Sequence, residues 1–85
     1  MKRLVSRKIT SYNEEVEQFI KECEDSGKFN DRQMEEIRKG FEQDLTMEQV
    51  KVYAKPEFKN YQMWEIRWGF KHGLTIEQVK EKYNL

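Results

Sequence analysis

The chain contains a single cysteine, a single proline, a single histidine and four glycines in 85 residues. Its apolar runs are only a few residues long. Each scarcity excludes something. Cys23 alone cannot form a disulfide within the chain, which fits a cytoplasmic protein. A transmembrane helix needs roughly 20 consecutive apolar residues, and none are present, so no membrane partner is expected. The opening "MKRLVSRKIT" is basic, but no apolar stretch follows it as in a signal peptide. The sequence also lacks a glycine-rich phosphate loop, a Cys/His cluster and a nucleophile elbow.

The remaining reactive side chains have structural explanations. His72 has no ligand or acid–base partner at useful spacing, and it falls near a predicted helix C-terminus, where positive charge is favoured. Cys23 lies on an apolar helix face, as packing thiols do. Glu14, Glu15, Glu17, Glu22, Glu24 and Asp25 occupy the opposite face of the same segment, which is the pattern of a solvated surface. No catalytic residue, metal ligand or cofactor-binding residue is therefore assigned, and the chain reads as non-catalytic.

What is present is charge and helix-forming composition. Charged residues make up 38% and mean hydropathy is -1.06, yet aromatics reach 13%, enough to build a core rather than a disordered chain. Glu, Lys, Gln and Arg abound while helix breakers are rare, so the fold class is all-α. A chain this short forms one domain, which buries only about 60% of its unfolded surface and has modest stability. The net charge of +0 hides an uneven distribution. Lys2, Arg3, Arg7 and Lys8 make residues 1–11 purely basic, residues 12–54 are acidic, and residues 55–85 are mildly basic.

The strongest internal signal is a repeat. Asp31–Lys51 aligns with Asn60–Lys80 at an offset of 29, with 13 of 21 positions identical, in the pattern "QM.EIR.GF...LT.EQVK". A period in this range marks stacked supersecondary units. In the first helix of each unit, Met34, Ile37 and Phe41, then Met63, Ile66 and Phe70, recur at helical spacing. Asn30 with Gln33 forms a capping box; in the second copy Lys59 stands at the cap, so Asn60 is the expected capping residue. Gly73 fits a left-handed helix stop, with Asp44 its poorer equivalent. Thr46 with Gln49, and Thr75 with Gln78, announce the second helices, whose predicted buried faces are Met47, Val50, Ala54 and Ile76, Val79, Tyr83. Pro56 separates the units.

Five helices follow from these signals, at 12–25, 31–43, 46–54, 60–72 and 75–83. The first is amphipathic, with Tyr12, Val16, Phe19, Ile20 and Cys23 on one face and Ser26-Gly27 as its stop. The single domain 1–85 thus divides into a loosely ordered basic segment 1–11, an N-terminal helix within 12–28, and helix-turn-helix hairpin repeats at 29–57 and 58–85. "RLVSRKIT" could form a short strand, but no partner strand is evident.

The pattern "QM.EIR.GF...LT.EQV", with "YAKPEF" as the joint, resembles a short helical repeat found in uncharacterised proteins of Gram-positive bacteria, their phages and mobile elements. The resemblance covers residues 29–85. It implies a helical-repeat fold and a mobile-element origin, and it carries no activity. The second unit departs from the pattern by ending "EKYNL" where the joint would stand.

Two features remain at the shared positions. Arg38 and Arg67 recur, which suggests a common kind of tertiary partner such as a carboxylate or helix-end carbonyls. Gly40 and Gly69 recur within helices, where glycine costs about 1 kcal/mol relative to alanine, so close helix approach is the expected compensation. What distinguishes the second copy is aromatic. Tyr61, Trp64 and Trp68 replace Arg32, Glu35 and Lys39, giving helix 60–72 a second apolar stripe. Either helix 12–25 covers these rings, or Tyr61, Trp64 and Trp68 form an exposed patch with Arg67 and Lys71 at its edge, suited to a protein partner or to self-association. The alternative is a nucleic-acid-binding regulator. "GLTIEQVK" is similar to the turn and helix start of helix-turn-helix proteins, and Lys55, Lys59, Arg67, Lys71, Lys80 and Lys82 fall late in the chain. Against that reading stands the absence of a net basic balance.

Overall fold

The computed structural model of the protein describes residues 14–85. Within them the chain forms five helices and no strand: α1 (Glu14–Ser26), α2 (Asp31–Glu42), α3 (Met47–Tyr53), α4 (Asn60–Lys71) and α5 (Ile76–Tyr83). The fold class is all-α, and the boundaries agree with the periodicity within one or two residues. The basic segment 1–11, the suggested short strand and the place of Tyr12 lie outside the described residues.

Local chemistry accounts for where the helices start. Asn30, Thr46 and Thr75 each accept from the backbone N–H three residues on, while Gln33, Gln49 and Gln78 accept from the cap residue's own N–H. These reciprocal boxes satisfy donors that a bare helix end would leave unpaired. The start of α4 differs from expectation: Lys59, not Asn60, is the cap. Lysine has no acceptor, so only half of the box survives, with Gln62 Oε1 accepting from Lys59 N–H at 2.8 Å.

The stops of α2 and α4 are paired. Leu45 N–H reaches the Gly40 carbonyl and Asp44 N–H reaches Phe41, with Asp44 at φ 68°. Leu74 reaches Gly69 and Gly73 reaches Phe70, with Gly73 at φ 95°. This two-bond closure requires a left-handed residue, which glycine supplies at lower conformational cost than aspartate.

Helix α2 is the centre of the packing. It touches α1, α3 and α4, while α3 also leans on α4, and α5 packs on α4. The core joins Ile37, Phe41, Val50 and Tyr53 of the first hairpin to Met63, Ile66, Phe70 and Val79 of the second, with Val16 and Cys23 contributed by α1. Phe19 of α1 meets Phe41 edge to face at 6.1 Å. Gln33 ties the joint down. While its Oε1 closes the capping box, its buried Nε2 donates to the carbonyls of Pro56 (3.1 Å) and Phe58 (2.6 Å).

The recurring glycines have a physical role. The Tyr53 hydroxyl donates to the Glu36 carbonyl at 2.7 Å, crossing α2 where Gly40 leaves room for it. In the second hairpin the Tyr83 hydroxyl donates to the Glu65 carbonyl at 3.1 Å beside Gly69. The accepting residues are 29 apart, but the tyrosines are 30 apart. One tyrosine sits three residues after its core valine and the other four, and both spacings return to the same helix face. Tyr53 and Val52 are buried, which the predicted face of Met47, Val50 and Ala54 had not included.

A methyl at Gly40 would overlap the Tyr53 hydroxyl, whereas one at Gly69 would meet Leu74 Cδ1 at 3.3 Å. Gly40→Ala is therefore expected to lower unfolding stability by about 2–3 kcal/mol despite its gain in helix propensity. Gly69→Ala should stay within about 1 kcal/mol of wild type. Urea titrations followed by circular dichroism measure both, and adding Tyr53→Phe to Gly40→Ala should recover part of the loss.

Candidate functional site

The face of α4 turned away from the core carries Tyr61, Trp64, Glu65, Trp68, Lys71 and His72, all exposed. Residues four apart lie one above another along a helix, so 64, 68 and 72 form a column. The Trp64 and Trp68 rings stack 5.3 Å apart and tilt by only 16°. His72 continues the column, its ring 4.3 Å from Trp68. Tyr61 stands about one turn before Trp64. The two indoles are 44% and 45% exposed and Tyr61 is 57% exposed, values that place these rings at the surface rather than in the core.

Of the two arrangements open from the sequence, the exposed patch is the one observed. Helix α1 packs on α2 and does not cover the rings. Four of the five residues assigned to the patch, Tyr61, Trp64, Trp68 and Lys71, share this face. Arg67 does not. It is a correction to the expected site: its side chain turns inward and is 4% exposed. Its Nε donates to Glu36 Oε1 at 2.9 Å, a second nitrogen reaches the same oxygen at 2.9 Å, and Nη1 donates to Gln43 Oε1 at 2.8 Å. Burial makes a partnerless guanidinium prohibitive, so Arg67 belongs to the α2–α4 contact and not to a ligand. Arg38 likewise pairs with a carboxylate on the preceding helix, Glu24, but at the surface. The recurrence of the two arginines thus did indicate a shared kind of partner. His72 was missed as a patch member, although its place four residues after Trp68 carries that information.

The late bases do not gather on one face. Of them, Lys55 and Lys80 line an open groove together with Lys51, the acidic Glu48 and the apolar Val52, Ile76 and Leu85. Lys59 and Lys71 stand at opposite ends of α4, separated by about 18 Å of helix. Arg67 is out of reach altogether. Cys23 is buried, and burial, then the neighbouring charges of Glu22 and Glu24, push its thiol above the ordinary value, away from the reactive thiolate. Among the described residues no three His, Cys, Asp or Glu side chains are grouped to hold a metal ion, and no helix is long and apolar enough to cross a membrane. No protein-family model, curated protein or solved structure matches the chain.

The inward pair can be tested by substitution. Arg67→Met alone leaves Glu36 buried without its cation and should cost about 3–5 kcal/mol, with Glu36→Leu alone comparably costly. The double variant Glu36→Leu/Arg67→Met should regain most of that loss, because two apolar chains can fill the space of a buried pair. Urea midpoints of the four proteins measure the coupling directly.

Proposed function

We propose that the protein is a non-catalytic interaction module whose contact surface is the outer face of α4. One observation carries this reading: two tryptophans and a tyrosine stand exposed on a helix whose inner face is already fully used in the core. Exposing large rings to water is unfavourable by about 25 cal/mol per Å² of apolar area, and nothing in the fold requires it. Trp and Tyr beside a lysine are the residue types that dominate interface energetics. The residues that resemble the mobile-element repeat build the scaffold and leave this face untouched, so the resemblance bears on origin rather than on partner.

Nucleic-acid binding remains the second reading, supported by the three lysines of the α3–α5 groove and opposed there by Glu48. The stacked column argues against the rings themselves being a platform for bases. Trp64 and Trp68 already cover each other, and His72 covers part of Trp68.

The test compares wild type with Trp64→Ala/Trp68→Ala, a substitution at exposed positions expected to shift stability by less than about 1 kcal/mol. Immobilised wild-type chain should retain a protein partner, including its own soluble copies, and the double variant should lose it. Equal retention by the two proteins would overturn the reading. A low-salt gel shift abolished by Lys51→Glu/Lys55→Glu/Lys80→Glu would favour nucleic acid instead.

A further inference from the structure

The occupant of the α4 face can be narrowed by comparing it with α2. On α2 the contact with α4 and the joint falls on Gln33, Glu36 and Gln43. Arg32 and Glu35 stay exposed even with α4 in place, and Lys39 is only half-buried. At an offset of 29 these become Tyr61, Trp64 and Trp68. The aromatic stripe therefore occupies positions that a stacked neighbouring unit leaves largely uncovered. A further unit of the same kind, docking as α4 docks on α2, would cover the Gln62, Glu65 and His72 side and leave most of the rings in water. The rings call for a different geometry.

The two flanks of the helix layer also differ. Along the exposed side of α1 lie Glu14, Glu15, Glu17, Gln18, Lys21 and Glu22, a polar surface of the sort that ends a helical stack. At α4 the outer face is aromatic. We infer that the α4 face pairs with the α4 face of a second copy, the two helices antiparallel about a two-fold axis, as the partner within the interaction reading above. An antiparallel crossing centred between residues 64 and 68 sets Trp64 against Trp68 of the second copy. The same register sets Lys71 opposite Tyr61 of the second copy, a cation over an aromatic ring, and does so twice. In this register Glu65 is level with position 67 of the other copy and stands to one side of the ring-on-ring seam. A two-fold contact closes on itself, leaving both polar α1 surfaces outward.

The dimer is expected to be weak, on the order of 100 μM, because a few half-exposed rings must offset the entropy of association. Sedimentation equilibrium of the full chain from about 10 μM to 1 mM should show monomer converting to dimer and stopping there. Trp68→Lys should remain monomeric with an unchanged helical spectrum. Lys71→Glu should weaken the dimer about fivefold by removing both cation–ring contacts. A monomer at all concentrations, growth past the dimer, or a dimer indifferent to both substitutions overturns the pairing. If the chain is monomeric yet captures another protein through Trp64 and Trp68, the pairing falls and the interaction reading stands; if it is monomeric and captures nothing, both fall.

Discussion

The Arg67–Glu36 pair determines how the rest of the molecule is arranged. A guanidinium and a carboxylate are buried between α2 and α4, with Gln43 taking a further N–H. Such a pair is poor evidence of net stability, because desolvation offsets much of its attraction. Its contribution is orientation. Neither charge tolerates being buried alone, so α4 cannot rotate on α2 without breaking the contact. With Arg67 held inward beside Met63, Ile66 and Phe70, helical geometry leaves Trp68 opposite the buried face and Trp64 on its outer edge. The same Glu36 accepts the Tyr53 hydroxyl on its backbone carbonyl, so one residue fixes both α3 and α4 against α2.

Around that constraint the fold divides into shared scaffold and distinctive surface. The two hairpins share their core residues, the Thr–Gln capping boxes, the form of the left-handed stop and the glycines that admit a tyrosine. They explain why each segment is helical and where it ends. The differences lie on the outer face of the first helix of each hairpin. In α2 that face carries charge, as a solvated surface does; in α4 it carries rings. Cohesion and partner choice are thus assigned to different sides of one helix.

Much of this was legible in the sequence, because helix periodicity, Thr-x-x-Gln boxes and glycine stops are local signals. Pairing was harder to read. Tyr53 escaped the predicted core because it stands one residue out of register with Tyr83, and a strict 29-residue alignment sets Ala54 in its place. Arg67 reads as a patch residue because its neighbours in sequence are Trp64, Trp68 and Lys71, while its partner Glu36 is 31 residues away. The half-box at Lys59 has no side-chain signature at the cap itself, because the surviving bond comes from the backbone N–H. Whether α1 lay over the rings depended on which side of α2 it chose, and its apolar face would have suited either.

The central claim is that Arg67 turns in and the tryptophans turn out. Because Trp64 and Trp68 are the two tryptophans of the chain, its indole emission reports on this face alone. Collisional quenching by acrylamide at micromolar concentration, below the range of self-association, measures the access of water to both rings. The account predicts an emission maximum close to that of exposed indole and quenching of both tryptophans within about twofold of the urea-unfolded chain, consistent with rings roughly half exposed. Blue-shifted emission that resists quenching until the protein unfolds would place the rings in the core and contradict it.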